Sequence, residues 1–322
     1  MRYRMILLRE DLVALALVLL FAASGCGDKS GPAPPKPPKL TSPRIAITSN
    51  RTGTGSIHLY DPTSGQVTRL SPAGIYDQQP AISPDGMRIS FVSTAVSGQL
   101  LMTMAVDGSD RKACGTNTQL DASGPRWSPD SKHIAFTGVT KSTGARNVYT
   151  ILVSGDSLRP LTSDDVSTAL AWSPDGTRIL YVHHEPPTGI GGSPTDYLRD
   201  VYPDGNGGRT LLGPLGIAIV GADYSADGLH LAVCYEGVPN VGYRLEVCDS
   251  DGNNRVVVAE STPRLEGLSP PSWSPDGALI VFSAHIGTGS DDLYTATPAP
   301  ADPQPLLAGA PIDTQPAWGP KP

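Results

Sequence analysis

Apolar residues along most of this chain come in short runs of four or five, cut off by turn-forming residues, and the cadence returns at a nearly fixed interval. The stretch AWSPDGTRILYV from Ala171 shows the unit: an apolar run ending in Trp172, a Ser-Pro-Asp-Gly turn, and a second run from Arg178 to Val182. Close copies begin at Ala81 (AISPDGMRISFV), Arg126 (RWSPDSKHIAFT), Asp223 (DYSADGLHLAVC) and Ser272 (SWSPDGALIVFS), with a truncated PAWGP at Pro316. The turn aspartates Asp85, Asp130, Asp175, Asp227 and Asp276 stand 45, 45, 52 and 49 residues apart, and Pro320 follows Pro275 by 45. Self-similarity at that period marks a repeat architecture, and six units fill residues 44 to 322.

Each unit continues in the same order, through a variable loop to a third run such as SIHLYD and, after a short turn, a fourth such as VTRLS. Four short runs bounded by turn signals predict a four-stranded antiparallel sheet. In the turn, Pro presets φ, Ser and Asp can bond nearby amides, and Gly accepts a positive φ. Ser131 replaces that Gly in one copy and Ala226 replaces the Pro in another, so those two turns are expected to be less favourable. Trp127, Trp172, Trp273 and Trp318, with Ile82 and Tyr224 at the matching places, put a large apolar group at one point of every sheet, as face-to-face packing of successive sheets requires. The predicted fold is all-β, a six-bladed β-propeller. The chain enters on a second strand (Arg44 to Ile47) and ends after a first strand (Gln315 to Trp318), so the C-terminal strand is expected to complete the N-terminal blade and close the ring.

Composition agrees with many turns and few helices: 35 glycines and 32 prolines among 322 residues, with only 17% charged. A net charge of −7, with no basic block beyond three linker lysines, gives no footprint for nucleic acid. The N-terminus changes the picture more. Arg2, Arg4 and Arg9 precede an apolar run from Leu12 to Ala23, too short to span a bilayer and suited to a secretory signal over residues 1–25. Ala23-Ser24-Gly25-Cys26 resembles the bacterial lipobox, which implies lipidation of Cys26 and a membrane-anchored lipoprotein. Gly27 after that cysteine resembles the sorting pattern that favours the outer membrane. Residues 26–43 are Pro-rich and read as a spacer ahead of the domain at 44–322.

The WSPDG turn followed by an Ile-Ala-Phe-like strand resembles the propeller repeat of the TolB-like family, named for the periplasmic component of the Tol-Pal system. The resemblance covers residues 44 to 322. It implies an extracytoplasmic, noncatalytic propeller that binds an envelope protein or peptide; the N-terminal α/β domain of TolB has no counterpart between Cys26 and Arg44.

Function is sought where the copies differ. The second-to-third-strand loops and the connections between units vary most, among them HHEPPTGIGGSPTDY from His183 and SAHIGTGSDD from Ser283, and they are expected on one face of the ring. His184 and Glu185, with His285 at the equivalent place two blades on, are candidate contacts of that face. A zinc site needs three or four converging ligands, and adjacent histidines on a strand point to opposite faces, so no metal or other cofactor is expected. Asp77 and Asp313 each stand five residues before a Trp-equivalent position, as a possible acidic pair at the channel mouth or as loop-ordering residues. Cys234 and Cys248, each preceded by Val on neighbouring strands, could form a disulfide or remain two buried thiols. No G-x-S-x-G elbow occurs, so an acyl-transfer hydrolase is not expected; a lyase-like carbohydrate-active propeller or a small-ligand-binding propeller are the alternatives. A monomer is expected.

Overall fold

The computed structural model describes residues 39–115, 119–186, 195–262, 265–285, 290–309 and 311–320. Within them lie six antiparallel sheets in chain order, each hydrogen-bonded from an inner to an outer strand. Blade 2 is typical, with strands Asp77–Ile82, Arg88–Ala95, Gly98–Ala105 and Lys112–Ala113. Blades 3, 4 and 5 repeat it from the inner strands Leu120–Trp127, Ser167–Trp172 and Ala218–Tyr224. Inner strands of successive blades pack side by side around a central channel.

The ring closes as the sequence predicts. The C-terminal strand Asp313–Gly319 is the inner strand of blade 1 and pairs antiparallel with Arg44–Ser49, with Ile45 opposite Trp318 and Ala46 opposite Ala317. Blade 6 departs from the pattern. Its inner strand is split into Glu266–Leu268 and Ser272–Trp273, because Pro270 and Pro271 have no N–H for the ladder. The Ser269 hydroxyl takes over by accepting from Ser283 N at 2.8 Å.

The hydrophobic residues do not form one central core. Six buried clusters lie between adjacent blades, one at each junction. The junction of blades 1 and 2, for example, gathers Ala46, Ile57, Ile89, Phe91 and Met104. Burial of a large apolar side chain contributes roughly 1.5–3 kcal/mol, so each blade depends on both neighbours. Trp127 and Trp273 add a polar link, donating from Nε1 to the carbonyls of Ala81 (3.0 Å) and Asp223 (3.2 Å) on the preceding blade.

The five repeated turns behave alike. Ser83, Ser128, Ser173, Ser225 and Ser274 each donate to the aspartate two residues on at 2.6 Å. The fourth turn residue is left-handed in all five, including Ser131 at φ 58°. That serine recovers something for its strained backbone, since its hydroxyl accepts from Asp85 N of blade 2 at 3.0 Å.

Candidate functional site

The second-to-third-strand loops and the connections between blades fall on one face, and the inner strands start from it. Near these starts several strands carry a bulge, with Gln79, Gly124 and Gln315 in left-handed conformation. Two of the three are not glycine, and hydrogen bonds hold them there. Gln315 Oε1 accepts from Thr48 Oγ1 (2.8 Å) and Gln79 N (3.0 Å), and Gln79 Oε1 accepts from Gly124 N (2.8 Å), which links blades 1, 2 and 3.

Asp77 and Asp313 occupy matching places on this rim, but they are not on the channel wall and they are buried. Arg111 grips Asp77 with two bonds of 2.7 Å, bonds Ser93 Oγ at 3.0 Å, and lies 4.4 Å over the Phe91 ring. Arg51 pairs with Asp313. The channel-mouth reading is therefore corrected. A buried carboxylate needs a partner of opposite charge, and both partners come from within the chain. Beside Asp313 lies His58, a buried histidine that the repeat pattern did not single out. Burial lowers its pKa, Arg69 and Arg51 push the same way and Asp313 opposes them. The ring is thus neutral near pH 7, with Nδ1 3.2 Å from Ser56 O. Its place in the middle of the strand Ser56–Tyr60, where the other five histidines stand at or near strand ends, was the available signal.

Blade 4 carries a further polar group on the loop face. His183 and His184 point to opposite sides, as neighbours on a strand must. His183 Nδ1 lies 2.8 Å from Asp164, and His184 Nδ1 2.8 Å from Asp196. Burial pushes the Asp164 carboxyl upward, but bonds from Ser167 and His183 outweigh it and hold the carboxyl below its ordinary value. Asp196 also accepts from Ile219 N at 2.7 Å, tying blade 4 to blade 5. Glu185 is exposed and accepts from Tyr197 Oη at 3.2 Å. The pattern recurs in blade 6, where His285 lies opposite Asp291 in the ladder, 2.9 Å away. The structure thus groups Glu185 with His183 around Tyr197, leaves His184 on the other side of the strand with Asp196, and gives His285 a similar aspartate pairing in blade 6. Among the described residues, no group of three or more His, Cys, Asp or Glu is arranged to hold a metal. Cys26 and residues 187–194 of the long insertion lie outside the described residues.

The cysteine pairing is a second correction. Cys114, Cys234 and Cys248 are all free and buried. In the ladder Cys234 lies opposite Leu245, and Cys248 opposite Leu231, three residues away from Cys234. An odd offset puts the two sulfurs on opposite faces of the sheet. Cys234 packs toward blade 6 and Cys248 toward blade 4. Burial raises both thiols, that of Cys248 to about 12.

The channel itself is a cavity of about 200 Å³ walled by inner strands. The residue before each Trp-equivalent position lines it, and in blades 3 and 5 that residue is charged: Arg126 and Asp223. Arg126 bonds the carbonyls of Leu170 and Pro125, and Asp223 Oδ2 accepts from Trp273 N at 2.9 Å. Sequence reading passed over both, although each opens a quoted copy of the repeat, because the tryptophans beside them are the more constant feature.

Fold and rim together define a closed six-bladed propeller with one regular and one variable face. No protein-family model matches the sequence. The chain is 28% identical over 223 residues to an uncharacterized peptidase, YuxL, of Bacillus subtilis, over 66% of this chain and 30% of that protein. It is 27% identical over 141 residues to a TolB homolog of Chlorobium luteolum, over 43% and 31% respectively. The chain thus spans about a third of the length of these relatives. Among solved structures, TolB from Acinetobacter baumannii superposes with a TM-score of 0.71 at 20% identity, covering 88% of this chain and 68% of TolB. An oligogalacturonate lyase from Vibrio parahaemolyticus superposes with a TM-score of 0.57 at 14% identity, over 82% and 74%. The chain is a six-bladed β-propeller similar in fold to TolB.

Proposed function

We propose that this propeller is a noncatalytic scaffold on the extracytoplasmic side of a bacterial envelope, tethered by a lipid on Cys26 and binding an envelope protein or peptide with its variable-loop face. The observation that carries the reading is the inequality of the two faces. One repeats the same short turn five times. The other carries unequal loops with half-exposed His–Asp pairs at His184 and His285 and an exposed Glu185. Variable loops on a rigid scaffold are where binding groups are usually placed. The likeness to TolB supports the envelope setting, and residues 26–43 serve as the spacer. The domain works as a monomer.

The test uses the tagged full-length chain in its native host, cross-linked and captured from envelope extracts. Beside it run the triple variant His184→Ala, Glu185→Ala, His285→Ala, and Cys26→Ser. The reading expects a partner held by the parent and lost by the still-folded triple variant, and release of the Cys26 variant from the membrane fraction. Capture that survives the triple variant, or cleavage of an acidic oligosaccharide by the purified chain, would overturn it.

A further inference from the structure

Just after the repeated turn, at the head of the second strand, blades 2 and 4 carry an arginine that reaches outward across the sheet. Arg88 donates to Thr103 Oγ1 at 3.2 Å and to Asp110 at 2.6 Å. Arg178 donates to Asp200 at 3.3 Å and lies 3.5 Å over the Tyr202 ring. Blade 3 has His133 at that place, and strand register puts Thr150 where Thr103 and Asp200 stand. An imidazole is shorter than a guanidinium side chain, and His133 keeps to Asp130 of its own turn, 3.9 Å away. The space that an arginine fills in the two neighbouring blades is thus open in blade 3. A cavity of about 530 Å³ lies there on the turn face, between blades 3 and 4, with His133 and Thr150 in its wall.

Two further departures from the repeat fall on the same cavity. Arg159 of the fourth strand lies opposite Thr150 in the ladder, as Arg209 lies opposite Asp200 in blade 4. Arg209 bonds its aspartate at 2.9 Å. Arg159 faces a threonine, makes no hydrogen bond or ion pair among the described residues, and acts only at longer range on Asp204. Trp172 is the second departure. Trp127 and Trp273 are tied through Nε1 to the preceding blade, whereas Trp172 is half-buried, lines the cavity, and has no partner for Nε1 among the described residues.

The chemistry of the wall selects the ligand. Asp130 and Asp175 stand against a single arginine, so no excess positive charge is present to hold an anion, and Arg159 opposes a cation. The turn bonds of Asp130 from Ser128 and Lys132 fall on Oδ1, which leaves Oδ2 as an acceptor. Donors from Arg159 and the Thr150 hydroxyl alternate with these carboxylates around an indole and two prolines, Pro129 and Pro203. A sugar ring has the matching character, with a C–H face to lie on an aromatic or proline surface and adjacent hydroxyls that each donate and accept. The volume equals that of roughly eighteen waters, room for two or three sugar rings and within the ordinary size of ligand pockets. We propose that the cavity between blades 3 and 4 binds a short neutral oligosaccharide without cleaving it. It lies on the face opposite the proposed protein contact, so either assignment stands or falls without the other.

The test is a titration of the full chain, by ligand-observed NMR or calorimetry, with cellobiose, maltose and N,N′-diacetylchitobiose. Digalacturonate and the disaccharide of glucosamine serve as anionic and cationic controls. At least one neutral disaccharide is expected to bind one site per chain at millimolar concentration, with both controls weaker by about tenfold or more. His133→Arg restores the side chain of blades 2 and 4, with Thr150 placed to receive it as Thr103 receives Arg88. It is expected to fill the cavity and weaken binding by about tenfold or more without lowering the melting temperature. Arg159→Ala, at an exposed position, is expected to weaken binding by about fivefold. Absence of binding by all three sugars at millimolar concentrations, equal binding of the charged controls, or undiminished binding in both variants would overturn the assignment. The comparison of neutral with charged sugars needs no variant, so the outcome does not depend on either substitution folding.

Discussion

On the turn face, five serines meet five aspartates at the same 2.6 Å, whereas on the loop face each buried or half-buried carboxylate has its own partner. There, Asp77 takes Arg111, Asp313 takes Arg51, Asp164 takes His183 and Asp196 takes His184. The turns are local: each forms within six residues and can be copied with the repeat. The loop-face pairs are long-range, reaching 34 residues for Asp77 and 262 for Asp313. Uniform contacts build the ring and individual ones differentiate it, so the two faces should respond differently when broken.

The largest contrast is expected from Asp77→Ala. Arg111 would be left in place with its side chain only 17% exposed and no counter-ion, and breaking a buried pair in this way costs about 3 kcal/mol or more. Urea unfolding reads the loss, and a double variant with Arg111→Met should recover part of it. If Asp77→Ala proves as mild as a turn variant, the loop-face pairs are not structural anchors. On the turn face, Asp276→Ala removes the bonds from Ser274 Oγ and Ala278 N at an exposed site, with an expected cost of at most about 1 kcal/mol by the same measurement.

A pH series sharpens the comparison from the turn side. Hydrogen bonds from Ser173, Ser225 and Ser274, with backbone amides next, hold the carboxyls of Asp175, Asp227 and Asp276 below their ordinary value. A depressed folded pKa gives stability that is complete above the unfolded value near ~3.9 and is lost as pH falls through the folded one. The melting temperature should therefore drop below about pH 4, and Asp→Asn at these turns should flatten the drop. An unchanged acid limb in the triple variant would show that the turns are not its source.

The smallest expected effect is none at all. Reductant should leave the melting temperature unchanged, and Cys114, Cys234 and Cys248 should resist a thiol reagent until denaturant is added, because burial raises all three thiols. A reductant-sensitive midpoint would restore the disulfide.

What was legible in the sequence follows the same division. The ring, its blade count and its closure could be read because the turn writes itself at a fixed interval and the tryptophans mark each sheet. Asp77 and Asp313 were visible, but their arginines were not, since nothing near either aspartate in sequence names its partner. The valines before Cys234 and Cys248 suggested a shared face, yet strand register decides the face, and it sets Cys234 opposite Leu245. His183 and His184 diverge as strand geometry requires, while their aspartates emerge only from the fold.

The closing strand also has a mechanical meaning. Arg44–Ser49 is hydrogen-bonded on both edges, to Asp313–Gly319 and to Ser56–Tyr60, and just ahead of it Leu40 N bonds Gly86 O at 2.9 Å. Ladder hydrogen bonds run perpendicular to their strands. Tension drawn along this strand from its N-terminal end would therefore load two rows of bonds in shear together rather than peel them one at a time. Hauled from that end, the ring is built to hold like a clamp.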